Sequence, residues 1–398
     1  MSSLRRSPIA LGAFSLCISA FLFAGIGSSV AASAATRAAS GTPIVIGTLG
    51  SYTGSQASSS EQALYALQAW VSSVSAAGGI DGHPLKMIVK EDNDSPSLGE
   101  TDAQELINDH VAAIVGDWSD VDTDWVPTVT KAGIPIIGNA AGLGFGEADV
   151  FPQQTTILAG AYGTMYALKQ AGVTKFGVPY CAEIAACSEG VPLDKQFASK
   201  LGMDLVWSGA FSASSPNLTP ECLAASQAGA TGLEPAAPSD SDIHLAEACA
   251  QQGLKFVYGT SDGTMTNQWL TIPAFNGTRA QEGDAPWFSD STPALKAYNA
   301  ALKKYEKGKP VNASSIEGWA SGKLFQAAVA ASGSKTVTPT TVLDGLYSLK
   351  GDTLGGIAPP LTFTKGSAAT VPCFFIVGIT NGKFVTPQGL KLSCAPAS

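Results

Sequence analysis

"GGIDGHPLKMIVKEDND", residues 78–94, runs from a glycine pair through an apolar stretch into Glu91, Asp92, Asn93 and Asp94. Just upstream, Leu64, Leu67, Val71 and Val74 recur at helical spacing, which predicts a helix over 61–77 that Gly78 stops. Asp81-Gly82 turns the chain, and residues 85–90 read as a strand re-entering a sheet. The four polar residues then fall at that strand's carboxyl end. An acidic cluster there can hold a metal, do acid–base chemistry or cap a sheet edge, and the rest of the chain must choose.

Outward from this unit the same alternation repeats. "PIVIGTLG" (43–50) is a short apolar run ending at glycine, the pattern of a buried parallel strand. A helix over 99–110 leads to "VAAIVG" (111–116), and a helix over 122–132 leads to "IPIIG" (134–138). Helices over 162–171 and 240–252 precede "KFGVPY" (175–180) and "LKFVYG" (254–259), and another precedes "MDLVWSGAF" (203–211). Strands and helices alternating at this length imply mainly parallel sheets covered on both faces. The strands are too many for one sheet, so two α/β lobes are expected. The last third breaks the rhythm, with helices over 293–306, 316–331 and 339–349, a glycine-rich stretch at 351–360 read as a crossover region, and a hairpin at Asn381-Gly382.

The N-terminus is set apart. Arg5 and Arg6 precede an apolar run from Ile9 to Ile26, and Ala32-Ser33-Ala34 offers small residues at cleavage spacing, so residues 1–34 read as a secretory signal. Cys17 lies in that run, and its preceding residues suit lipid attachment poorly. The formal charge of −9 becomes −11 once Arg5 and Arg6 are gone, which argues against nucleic acid and anionic membrane surfaces as partners. Six of the seven cysteines remain: Cys181, Cys187, Cys222, Cys249, Cys373 and Cys394. An even number in an exported chain points to disulfides; sequence cannot choose among the pairings, but proximity suggests 181–187, 222–249 and 373–394. Zinc would want a close CxxC pair and a nearby HxxxH, neither of which the chain has.

Three catalytic or cofactor patterns fail on their own terms. Gly259-Thr260-Ser261-Asp262-Gly263 fits GxSxG after a strand, but a hydrolase built that way places its histidine later, and His83, His110 and His244 all precede Ser261. A calcium loop counted from Asp120 needs glycine and glutamate where Trp125 and Lys131 stand. Some acids of the run 117–124 are expected instead to cap a helix N-terminus rather than bind a ligand, though a helix N-terminus beside a strand end is also a binding position. Gly142-Leu143-Gly144-Phe145-Gly146 has GxGxG spacing, not that of a dinucleotide loop.

"PIVIGTLGSYTG", "AAGGIDGHPLKMIVKEDND", "AAIVGDWS" and "AGIPIIGNAA" together resemble the type I periplasmic binding proteins, in particular the leucine/isoleucine/valine-binding branch of ABC-transporter receptors. The resemblance implies two lobes, each a mainly parallel sheet flanked by helices, joined by three crossovers and closing on a small ligand. It divides the chain into residues 42–158 with 286–351, and 159–285 with 352–398. It implies a small-molecule ligand, an ABC permease as partner, a monomer, an exported or cell-envelope location, no cofactor and no enzymatic activity. By the family pattern, Ser119 matches a ligand-binding serine, with Asp120 a one-residue alternative, and Ala140 matches a backbone contributor. Gly142 stands where a threonine is usual, and Asp262 matches an acid that holds an ammonium. Tyr180 ends a strand at a cleft-facing position. The chain departs from the pattern where Asp120, Asp122 and Asp124 replace a Ser/Thr cluster, which disfavours a free carboxylate ligand. Trp118 and Trp125 are read either as core or as surfaces for an apolar, aromatic or cationic ligand.

Overall fold

The computed structural model describes residues 39–53, 57–139, 146–183, 185–261 and 263–396; the signal-like segment 1–34, and with it Cys17, lies outside these. The chain runs β1 (Ile44–Gly50), α1 (Ala57–Ala76), β2 (Leu85–Glu91), α2 (Pro96–Asn108), β3 (Ile114–Trp118), α3 (Asp122–Lys131), β4 (Ile136–Asn139) and β5 (Val150–Phe151). These strands pair in parallel in the order β2-β1-β3-β4-β5. Side chains alternate across the sheet. Ile44 and Ile46 face a core built with Leu67 and Trp70 of α1, while Leu49 packs with Leu106 of α2 and Trp125 and Val129 of α3.

The sequence continues through α4 (Ile157–Gln170), β6 (Lys175–Cys181), α5 (Ala185–Glu189), α6 (Val191–Lys200), β7 (Asp204–Phe211), α7 (Thr219–Gln227), β8 (Gly232–Leu233), α8 (Ser239–Gln251), β9 (Val257–Thr260) and β10 (Arg279–Glu282). The order β7-β6-β8-β9-β10 repeats that of the first sheet, again with parallel pairs. Met165 and Leu168 of α4 and Ala198 of α6 pack with Phe176 and Val178, and Cys222 of α7 and Leu245 of α8 join the core that takes Leu233 and Tyr258.

Next come α9 (Pro293–Tyr305), α10 (Ala313–Ser332), α11 (Pro339–Ser348), a small hairpin of β11 (Lys350–Asp352) and β12 (Leu361–Thr362), then β13 (Cys373–Thr380), β14 (Lys383–Val385) and β15 (Ser393–Cys394). α10 returns to the first sheet. It is buried along most of its length, with Phe325 edge-on to Trp70 at 6.3 Å between ring centroids. A Cβ on Gly318 would stand 2.0 Å from the carbonyl oxygen of Ala63, so only glycine lets α10 lie this close to α1. Strand β13 instead extends the second sheet, antiparallel to β10, and turns at Asn381-Gly382 into β14 as the hairpin signal predicts.

The chain therefore passes between the sheets three times, after β5, after β10 and before β13, and the passages are tied to one another. Thr155 Oγ1 donates to the carbonyls of Cys373 at 2.6 Å and Gly283 at 3.3 Å. Thr156 N donates to Val371 O at 3.0 Å, and Ala285 N to Ile357 O at 2.6 Å. The hairpin loop around the glycine-rich 351–360 stretch thus lies against the second passage. Phe363, just past the hairpin, packs edge-on against Phe151 with centroids 5.1 Å apart, which holds this stretch to the first sheet.

Three disulfides join Cys181 to Cys187, Cys222 to Cys249 and Cys373 to Cys394, the pairing that proximity suggests. All belong to elements of the second sheet and its helices.

Candidate functional site

Parallel strands gather their carboxyl ends on one edge, where ligands bind in open α/β sheets. At the first sheet that edge carries Ser51 after β1, Glu91 at the end of β2 with Asp92 after it, and Trp118 at the end of β3 with Ser119 and Asp120 after it. Strand β3 lies two to three residues later than the apolar run 111–116 predicts. His110, at φ 56°, closes α2, and Gly116, at φ 82°, allows an extra residue in β3 where the register with β1 shifts. Asp117 and Trp118 are thereby drawn into the strand.

The four polar residues at the end of β2, Glu91 to Asp94, hold this edge together. Both oxygens of Glu91 accept from Tyr52 N, at 3.0 and 3.1 Å, and Thr53 Oγ1 donates to it at 3.2 Å. Asp92, fully buried, accepts from Ser51 Oγ at 2.6 Å and from Asp94 N at 3.1 Å. Ser51 Oγ in turn accepts from Asp120 N at 3.2 Å. These bonds latch β1, β2 and β3 to each other, so the acids cap the sheet edge, the third of the roles open to them.

Ser119 is fully buried, and its hydroxyl oxygen accepts from Val121 N at 3.1 Å and from Trp125 Nε1 at 3.0 Å. It starts α3, whose formal N-cap residue, Val121, has no side chain able to cap. Trp118 is 5% exposed, and its ring folds back over the bare Cα of Gly116. Trp125 is wholly buried. Both tryptophans therefore serve the core. Asp120 is exposed beside them; loss of solvent around its carboxyl, then the charges of Asp94, Asp92 and Asp122, push it up to about 6.

At the second sheet the corresponding edge carries Tyr180, which is half-buried and bridges to Ala236, then Glu234 after β8 and Ser261 after β9. Glu183 ties the loop after β7, accepting from Ser212 Oγ at 2.6 Å and Ala213 N at 3.1 Å, and hydrogen bonds to it hold its carboxyl below the ordinary range. The family-matched Ala140, Gly142 and Asp262 lie outside the described residues. Ser119, Trp118 and Asp120 share the end of one strand, and Tyr180 belongs to the other sheet.

Sequence reasoning missed Asp242 and Glu234. Asp242, in the first turn of α8, is wholly buried, and neither carboxylate oxygen has a hydrogen-bond partner. Glu234 has one oxygen closed off in the same condition. An acid in the first turn of a helix reads as a cap, so nothing in the sequence marked Asp242 as unsatisfied.

The sequence model of the family described as periplasmic binding protein matches residues 43–383. No curated protein matches the sequence. Solved structures share the fold at low identity. An extracellular ligand-binding receptor from Verminephrobacter eiseniae superposes with a TM-score of 0.76 at 16% identity, over 86% of this chain and 100% of its own. A branched-chain amino acid ABC transporter protein from Thermus thermophilus, with bound valine, gives 0.76 at 14%, over 87% and 96%. A fatty acid ABC transporter substrate-binding protein from Thermomonospora curvata gives 0.73 at 19%, over 88% and 92%.

Proposed function

The chain belongs to the periplasmic binding protein family, and from that premise we propose that it is an exported receptor that captures a small molecule between its two lobes and delivers it to an ABC importer. The observation that carries this reading is the set of three hydrogen-bonded passages joining two sheets of identical strand order. Such a connection permits hinge bending while each sheet stays intact, and closure brings two ligand-binding edges together. In this reading residues 42–158 and 286 onward form the first lobe. Its boundary runs past 351 to the Phe363–Phe151 contact, and 159–285 with the chain from β13 form the second.

The ligand class is an amino acid or a related amine or amide, as the resemblance to the leucine/isoleucine/valine-binding branch implies. The structural relatives include a protein with bound valine and a fatty acid transporter substrate-binding protein, so the fold alone does not set the ligand. The receptor performs no covalent chemistry and acts as a monomer. Ser261, the serine of the GxSxG pattern, has no histidine after it in sequence, and turnover of ester or amide substrates abolished by Ser261→Ala would refute the receptor reading.

The direct test is a thermal-shift screen over amino acids, amides, amines and aromatic acids, followed by small-angle scattering with the best ligand. A ligand at about 100 times its dissociation constant adds ~2.7 kcal/mol of stability, and closure lowers the radius of gyration. Binding without any contraction would remove the hinge from this account.

A further inference from the structure

A cavity of about 350 Å³ lies between α9, α10 and the chain that follows β11, a size at the lower end of the range for small-molecule sites, about 300–1,000 Å³. None of the residues at the two carboxyl edges lines it. Trp319, Lys323 and Ala327 recur every four residues along α10 and so form one stripe. It is a different stripe from that of Gly318, Gly322 and Phe325, which packs on α1. Ala294 of α9 and Leu354 and Ile357 of the loop complete the apolar walls, and the polar groups are Lys323, Gln326 and Asp352.

Lys323 is half-buried, and its Nζ donates to Gln326 Oε1 at 3.0 Å, a neutral acceptor. Among the described residues both ion pairs belong to Lys90, so no carboxylate of these residues neutralises Lys323. Asp352, the acid in the same wall, is engaged by its own loop: its Oδ1 accepts from Leu354 N at 2.7 Å, at a turn where Leu354 takes φ 52°. Loss of solvent pushes the Lys323 ammonium below its ordinary range, and the charge of Asp352 works against that shift as the smaller cause. A lysine that merely covers apolar surface keeps its charged head in water. This one turns a desolvated charge without a counter-ion toward an open apolar space, and Gln326 adds amide N–H donors beside it.

We propose that this cavity is a second ligand site, separate from the cleft, which takes a small apolar carboxylate with its charge on Lys323 and its body against Ala294, Trp319, Ala327 and Ile357. The carboxylate supplies the counter-ion that Lys323 lacks, through a charge-assisted hydrogen bond in a partly dry setting, and the apolar body removes the walls from water. An acid of this kind is repelled at the carboxyl edge of the first sheet, where Asp92, Asp94, Asp120 and Asp122 act on one another. Ile357 also accepts the Ala285 N–H of the second passage between the sheets, so an occupant lies beside the chain that joins them. The inference goes beyond the receptor reading and does not rest on it.

The test is titration calorimetry on the full chain with benzoate and hexanoate as probes, and benzamide and hexanamide as uncharged molecules of the same shape. Lys323→Met removes the charge, and Ala327→Leu puts a larger side chain into the cavity. Ala327 is only half-buried, so its replacement has room and stays readable if Lys323→Met folds poorly. The expected result is binding of at least one acid, with its amide, and the acid on each variant, about tenfold weaker or more. Equal affinity for acid and amide overturns the role of Lys323, and no binding of either acid overturns the site. Loss in one folded variant alone overturns it too, because the site needs both charge and room. Acid binding that both variants preserve lies elsewhere, the cleft included; it overturns this site and leaves the receptor reading intact. Silence of a broad ligand panel at the cleft would sink the receptor reading while leaving this site to be judged by its own titrations.

Discussion

Replacing Ser119 with alanine separates a structural serine from a ligand-binding one. Its hydroxyl accepts from Trp125 Nε1 at 3.0 Å and from Val121 N at 3.1 Å. Trp125 is wholly buried, so its orphaned N–H bears the full desolvation penalty, about 1–3 kcal/mol. Val121 N is only partly buried, and water can replace much of its lost bond, leaving roughly 0–1 kcal/mol. Ser119→Ala should therefore cost about 1–4 kcal/mol. With a urea slope of about 3 kcal/mol/M, the unfolding midpoint falls by about 0.3–1.3 M. The assay is urea unfolding of wild type, Ser119→Ala, Trp125→Phe and the double variant. Trp125→Phe carries its own packing loss, which the cycle cancels, and the remaining coupling should be about 1–2 kcal/mol. Coupling within ~0.3 kcal/mol of zero, with an unmoved Ser119→Ala midpoint, would falsify the structural role. A large loss of ligand affinity in that same variant would return Ser119 to the ligand.

Gly318→Ala gains about 1 kcal/mol of helix propensity but drives a Cβ to 2.0 Å from Ala63 O. Overpacking of that kind costs ~1–3 kcal/mol or more, so net destabilisation is expected. Gly160→Ala, whose new Cβ meets nothing closer than 3.4 Å, should leave the midpoint unchanged or raised; identical behaviour of the two variants would remove the close-approach argument. Removing the Cys222–Cys249 bridge, with its sequence separation of 27, as a double alanine variant should cost about 3–4 kcal/mol, read by the same unfolding assay. Asp120 binds its proton more tightly folded than unfolded, at about 6 against an ordinary value of 3.8. Its contribution to stability is thus fully present below the unfolded value and is lost as pH rises through about 6. Asp120→Asn should flatten the stability profile between these two values, and an unchanged slope there would contradict the shift.

The fold was largely legible because its signals are local and periodic. Leu64, Leu67 and Val74 are buried as the helical spacing requires, and Leu85–Glu91 pairs in register with β1. What escaped was short or polar. Strand β8 is two residues long, and β10 reads Arg-Ala-Gln-Glu, with Gln281 and Glu282 buried beside the passages between sheets. Neither offers an apolar run to find. The site was legible only where a residue announces itself by type and place. The family pattern pointed to Ser119, but not to its bond with Trp125, since that contact comes from the turn between β3 and α3. Asp242 was invisible for another reason: burial without a partner is a property of its surroundings, which include β8 and β9 as well as its own helix.

The packing of α10 onto α1 has a consequence for how the chain is made. Ala63 touches Gly318, and Trp70 lies against Phe325, so the core around α1 cannot close until most of the polypeptide exists. The whole second sheet from β6 to β10 is synthesised in between. Closing such a distant contact is slow, and until it forms the early helices show apolar surface to whatever meets them. Under the receptor reading, in which the chain is exported, that delay is useful, because it keeps the polypeptide threadable until its last third has arrived.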